Sequence, residues 1–215
     1  MFKGIDVSRH QGEIDWEKVI GSEHSDFAII RAGFGNNNVD AQAHRNVEWC
    51  EKLGIPYGLY WFSYALHPDM AKREAEHLLN FVGSRRPSYP LVYDFEYDSV
   101  THCNKNGVKV TRDFVLKCTE AFCERLEESG FYAMFYTNDD YYQRYYQGSR
   151  CAEKYDMWFA RYAANPGRPV TLWQTSESGN IPGIAGRCDI DQTERDYPAI
   201  IIRNNLNNWK DVLHG

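Results

Sequence analysis

Short runs rich in Ile, Val, Phe and Tyr alternate along the chain with longer stretches whose apolar residues recur every three to four positions. Residues 4–10, 27–33, 57–65 and 91–97 read as strands, and 132–138, 157–163, 170–176 and 187–192 as four more. Helical spacing fills the gaps between the early strands. Over 40–53 it keeps Ala43, Val47 and Cys50 on one face, and over 69–82 it gathers Ala71, Ala75, Leu78 and Val82. The longest helix is predicted over 111–129, with Gly130 as its C-terminal stop. His67-Pro68-Asp69 reads as a helix entry, because proline is pre-set for the first turn.

Strand–helix alternation up to Gly130 implies parallel strands joined by right-handed crossovers. After Tyr162 only residues 165–169 and 179–186 separate the last three strands, too few for crossover helices. Eight strands in 215 residues, somewhat short of the ~250 usual for a β/α barrel, predict an α/β fold of a particular kind. It is a single modified β/α barrel with eight strands, fewer helices, and C-terminal strands joined by short loops. Residues 1–203 are assigned to this barrel and 204–215 to a C-terminal tail. An open doubly wound sheet is the competing architecture. It calls for a glycine-rich phosphate turn after the first strand, and Gly4-Ile-Asp-Val-Ser-Arg-His-Gln-Gly12 contains no GxGxxG.

Composition narrows the chemistry. A net charge of −6 and a pI near 5.6 argue against a nucleic-acid partner. No run of about 18 apolar residues is present, so no membrane partner is expected. Polar residues interrupt residues 1–20 throughout, so this chain shows no signal peptide. The 15 Tyr, 11 Phe and 6 Trp suit either a packed core or flat platforms for sugar rings. Six cysteines form no CxxC and favour no pairing, and are read as reduced, partly buried thiols. The seven histidines include no HExxH, and neither a GxSxG elbow nor a GxxxxGK[ST] loop occurs. No metal and no cofactor are expected.

Acids inside apolar strands are the sharper signal. In Leu91-Val-Tyr-Asp-Phe-Glu-Tyr97, alternation puts Val92, Asp94 and Glu96 on one face and Tyr93, Phe95 and Tyr97 on the other. Strand rise separates the two acids by roughly 6.5–7 Å. Facing inward, they repel when both are ionised, which raises the pKa of one. A glycosidase needs that arrangement: one protonated acid for the leaving oxygen and one anion beside the developing oxocarbenium ion. On a solvated edge strand the same pair would be merely polar. Asp6 repeats the pattern, with a helix-cap or turn acid as its alternative. Asp189 and Asp191 again share a face, with a salt bridge as theirs. Arg31 is a candidate to hold a carboxylate ionised or to close the barrel rim. Tyr60, Phe62, Tyr136, Tyr162 and Trp173 are candidate sugar platforms, and Gln11 and Gln174 candidate hydrogen-bonding partners for hydroxyl or acetamido groups.

Several of these segments resemble one known family. Gly4-Ile-Asp-Val-Ser-Arg-His-Gln11, Tyr57-Gly-Leu-Tyr-Trp-Phe62, Tyr93-Asp-Phe-Glu96, Leu172-Trp-Gln-Thr175, Ile181-Pro-Gly-Ile184 and Cys188-Asp-Ile-Asp191 are similar to glycoside hydrolase family 25, the Chalaropsis-type lysozymes. The similarity runs in the family's order over residues 3–192. It implies a β/α barrel with fewer helices than strands. It also implies cleavage of the β-1,4 bond between N-acetylmuramic acid and N-acetylglucosamine in a peptidoglycan glycan strand. By motif, Glu96 matches the general acid and Asp94 the group that stabilises the transition state or the acetamide. Asp6 and Asp189 match two further acids of the cleft. Asp191 stands where the family usually places Asn. The expected enzyme is a monomer acting outside the cell or in the cell wall, secreted or released as a phage-type endolysin. Two rivals stay open: a glycosidase for another amino sugar polymer such as chitin, and a barrel that only binds wall glycans.

Overall fold

The computed structural model describes residues 1–211. Nine strands form one sheet: β1 (Phe2–Val7), β2 (Phe27–Phe34), β3 (Asn38–Val39), β4 (Tyr57–Phe62), β5 (Leu91–Asp94), β6 (Ala133–Asn138), β7 (Asp156–Ala160), β8 (Leu172–Gly179) and β9 (Cys188–Thr193). Eight of them close into a barrel in the order β1-β9-β8-β7-β6-β5-β4-β2, with β2 pairing back onto β1. The expected barrel is therefore the fold. All its neighbours are parallel except β9, which runs antiparallel to both β1 and β8. The short β3 lies outside the ring, antiparallel to the end of β2.

Helices α1 (Trp16–Val19), α2 (Ala43–Leu53), α3 (Pro68–Val82), α4 (Tyr97–Lys105) and α5 (Arg112–Glu128) follow the early strands. Three of them answer to the sequence periodicity. Pro68 opens α3, and Thr111 caps α5 by accepting a hydrogen bond from Phe114 N at 3.2 Å. Gly130 follows α5 at φ 79°, a left-handed conformation that suits glycine. Between β6 and β7 lie α6 (Asp139–Tyr141), a π turn (Tyr142–Tyr146) and α7 (Arg150–Lys154), and α8 (Tyr197–Arg203) comes after β9. No helix lies between β7 and β8 or between β8 and β9, as the short spacings require. No helix among the described residues is long and apolar enough to cross a membrane.

Two apolar regions follow from the period of two along each strand. Outward residues such as Ile5, Ile30, Leu59, Tyr93, Phe135 and Phe159 pack against the helices. Inward residues Phe27, Ile29, Val92, Met134, Trp158 and Leu172 fill the barrel, with Tyr89, Tyr197 and Ile201 below them. Gly4 makes room there: a Cβ at this position would lie 2.6 Å from the Phe27 ring. All six cysteines are buried free thiols. Cys118 and Cys123 serve different neighbours, since Cys123 Sγ faces the Met134 carbonyl of β6 while Cys118 lies near Cys103 of α4.

From the segment expected as a tail, Leu206, Asn207 and Trp209 pack against the floor, the end of the barrel where the parallel strands begin. Asn207 is fully buried. Its Nδ2 donates to Pro87 O and Tyr89 O at 3.0 Å each, and its Oδ1 accepts from Tyr132 N at 2.8 Å. The last four residues of the expected tail, 212–215, lie outside the described residues.

Candidate active site

At the opposite end, the strands' C-terminal ends surround a cleft of about 230 Å³. Alternation aims Asp6 (β1), Tyr60 (β4), Asp94 (β5), Tyr136 (β6), Trp158 (β7), Gln174 (β8) and Asp189 (β9) into it. Glu96 joins them from just beyond β5. The strand was expected to run on to Tyr97, but it ends at Asp94 and α4 starts at Tyr97. Glu96 stays extended (φ −128°, ψ −167°) as the residue before the helix, and its N–H donates to Ser99 Oγ at 3.1 Å. The alternation of β5 thus carries over to Glu96, so both acids face the cleft.

A polar chain ties the walls together. The phenols of Tyr136 and Tyr162 donate to Gln174 Oε1 at 3.1 and 3.0 Å. With its oxygen so engaged, Gln174 turns its Nε2 to Asp6 Oδ2 at 2.7 Å. Asp6 lies directly across from Asp189 on the antiparallel β9. Deeper in, Asp191 Oδ1 accepts from Trp158 Nε1 at 2.7 Å. The Trp158 ring meets Tyr136 and Tyr60 edge-on, at centroid distances of 4.8 and 5.8 Å.

So many carboxyls in one cleft cannot all ionise cheaply. Burial, followed by repulsion from Asp189 and Asp98, pushes Glu96 up to about 7. Asp94, only 4% exposed, is driven well above the usual carboxylate range by burial and then by Glu96, with Arg31 opposing. Asp6 is raised by burial and by the charges of Asp191 and Asp189, and its bond from Gln174 opposes this. Burial lifts Asp189 to about 6, with help from Glu177, and Asp191 to about 8. Asp94 Oδ1 and Asp191 Oδ2 are buried without a hydrogen-bonding partner among the described residues, which favours the neutral carboxyl at both.

The cleft brings together Asp6, Tyr60, Asp94, Glu96, Tyr136, Tyr162, Gln174 and Asp189. Four other candidates stand apart. Trp173 follows from the same alternation that turns Gln174 inward: it faces out, donates to Arg161 O at 2.8 Å, and lines a separate concavity with Pro169 and Arg195. Phe62 is half-buried against Tyr64, at a centroid distance of 5.2 Å. Arg31 is buried with its Nε and Nη2 each 2.7 Å from Asp40 Oδ2, so the carboxylate it holds is Asp40. Gln11 closes its own turn by accepting from Ser8 N at 2.9 Å. Trp158 and Glu177 line the cleft without having been singled out from sequence. Alternation along β7 would have pointed to Trp158. Glu177 sits in an irregular stretch of β8 where the register shifts, and carries no such signal. Among the described residues no group of three or more His, Cys, Asp or Glu side chains is arranged to hold a metal ion.

The model of glycosyl hydrolases family 25 matches the chain over residues 5–184. The chain belongs to that family. It is a glycoside hydrolase of the lysozyme type. The uncharacterized protein YegX of Escherichia coli O157:H7 is 28% identical over 92% of this chain and 72% of its own length. The autolytic lysozyme of Clostridium acetobutylicum is 24% identical over 88% of this chain and 55% of its own. Among solved structures, the modular autolysin LytC of Streptococcus pneumoniae, in complex with a synthetic peptidoglycan ligand, superposes with a TM-score of 0.78 at 26% identity. That match covers 88% of this chain, which spans 46% of the autolysin's length. A family 25 glycosyl hydrolase from Bacillus anthracis shares the fold at a TM-score of 0.77 and 24% identity, over 96% and 94% of the two chains.

Proposed function

We propose that this family 25 enzyme hydrolyses the β-1,4 bond between N-acetylmuramic acid and N-acetylglucosamine in peptidoglycan, outside the cell or in the cell wall. The observation that carries the reading is the Asp94/Glu96 pair. Both acids face one cleft, and Glu96 keeps its proton up to about 7 while remaining partly open to solvent. The Clostridium acetobutylicum relative is an autolytic lysozyme, and the pneumococcal neighbour was solved with a peptidoglycan ligand; both support this choice of polymer.

In the proposed reaction Glu96 gives its proton to the glycosidic oxygen as the C1–O bond breaks. Asp94, which burial keeps protonated, holds the acetamide by hydrogen bonding. The hydroxyl that completes C1 comes from water, whose proton returns to a carboxylate. Asp189 raises Glu96 through its charge, and Asp6, held by Gln174, lies across from Asp189. Tyr60, Tyr136 and Tyr162 present ring faces and hydroxyls to the glycan.

Purified peptidoglycan with blocked reducing ends is digested, and the new ends are identified by mass spectrometry. New muramic acid ends are expected. Glu96→Gln should slow their appearance on the order of 10²- to 10⁴-fold, the usual worth of a positioned acid, with little change in thermal stability. New glucosamine ends would move the cut to the other bond. A protein that pellets with the wall and releases nothing would leave a glycan-binding barrel, and a fully active Glu96→Gln variant would overturn the assignment of Glu96.

A further inference from the structure

Outside the barrel, in the apolar seam between α3 and the strands, lies a carboxyl that the reaction does not touch. Glu74 of α3 is 3% exposed and sits among Tyr93 of β5, Cys103 of α4 and Cys118 of α5. Burial holds all three of those neighbours in their neutral forms. A lone acid in such a place costs stability unless its oxygens are well used. They are used on one short turn. Ser63 Oγ donates to Glu74 Oε2 at 2.5 Å, and Tyr64 N donates to Oε1 at 2.8 Å. The same turn then grips the segment that bears both acids. Ser63 N donates to Asp94 O at 2.7 Å, Ala65 N donates to Ser63 Oγ at 3.2 Å, and Cys103 Sγ donates to Ala65 O at 3.4 Å.

We propose that Glu74 is a positioning residue for the Asp94/Glu96 pair, acting through the turn Ser63-Tyr64-Ala65. The inference rests on the hydrolase reading of that pair given above. Residues 94–103 run from the strand end that holds Asp94, through Glu96, into α4. The turn fastens this segment at both ends: at the Asp94 carbonyl and, through Ala65 O, at Cys103. Asp94 needs that help, because its Oδ1 has no hydrogen-bonding partner among the described residues, so its backbone sets its aim. An apolar residue at position 74 would fill the seam equally well. Only a side chain with two polar atoms so placed can meet both the Ser63 hydroxyl and the Tyr64 N–H.

The test compares Glu74→Ala, Ser63→Ala, the double variant and Glu74→Gln on a soluble glycan fragment, each at a temperature where it is folded. A small displacement of reacting groups costs rate rather than affinity. Glu74→Ala and Ser63→Ala should each lower kcat on the order of 10- to 100-fold with KM held within about twofold. The double variant should be no worse than the poorer single one, and Glu74→Gln, which keeps an acceptor for Tyr64 N and a donor for Ser63, should recover most of the loss. Wild-type kcat in folded Glu74→Ala, or a loss carried entirely by KM, overturns the proposal. Amide hydrogen exchange without substrate gives a second reading on the same proteins, should Glu74→Ala prove too unstable to assay. Faster exchange at residues 63–65 and 96–100 in Ser63→Ala, with Glu74→Gln resembling wild type, supports the positioning role even where wild-type protein releases no new ends. The absence of new ends would sink the proposed hydrolysis and leave the positioning role standing. Unchanged exchange in those two stretches sinks the role of Glu74.

Discussion

Glu96 combines two properties that its neighbours hold only singly: a proton retained to about 7, and a side chain that still reaches the open cleft. Asp94 and Asp191 hold protons but are almost wholly buried. Hydrolysis should therefore fade as pH rises through about 7, the value at which Glu96 loses the proton it donates. A kcat/KM profile checks this. Asp98→Asn removes one of the charges that raise Glu96, so the alkaline limb should move to lower pH. A limb that stays put would assign it to another group. At this scale the four acids were legible because a carboxyl inside an apolar strand is a conspicuous conflict. Trp158 was missed, although alternation along β7 turns it inward between the outward-facing Met157 and Phe159. Trp173 shows the converse: grouped with Gln174 by its place near a strand end, it is turned outward by one step of alternation.

Elements with a clean period were readable to within a few residues, as α3 and α5 show, and those set by local capping were not. The helix α4 begins where the strand pattern was expected to continue, because Ser99 is placed to receive the Glu96 N–H. Residues 204–208 likewise looked like loose polar chain. Asn205, Asn207 and Asn208 adopt left-handed φ values of 55°, 50° and 65°, a conformation asparagine tolerates better than most residues. Asn207 spends its whole amide on the floor of β5 and β6. Asn207→Ala strands two buried carbonyls and one N–H, and should destabilise the protein by about 2–4 kcal/mol in urea unfolding. Catalysis measured in the cold should be unaffected, since the cleft opens at the other end. A loss below about 0.5 kcal/mol would mean the floor holds without that side chain.

At the scale of the molecule, buried acids outnumber the cations that meet them among the described residues. In the native state Glu74 and Glu96 keep protons to about 7, Asp189 to about 6 and Asp191 to about 8, with Asp6 and Asp94 also raised. The unfolded chain gives those protons up near pH 4. The native state thus binds more protons between about pH 4 and 8, so stability is fullest at the acid end of that window and declines as pH rises. Melting temperatures recorded from pH 5 to 8 should fall, and Asp191→Asn, which keeps an acceptor for Trp158 Nε1, should flatten the decline. A melting temperature that climbs over this range would mean that these acids ionise in the folded protein.

One strand reversed among eight has a practical corollary. Because β9 runs against its neighbours, Asp189 stands at the mouth of the barrel while Thr193 lies at its base, opposite Phe2 at the start of β1. The backbone thus enters and leaves the barrel at the end remote from the cleft, and α8 and Asn207 close that end. A bead, a resin or a second polypeptide tethered beyond Trp209 would pull from behind, leaving the opening turned toward whatever insoluble polymer the immobilised enzyme is pressed against.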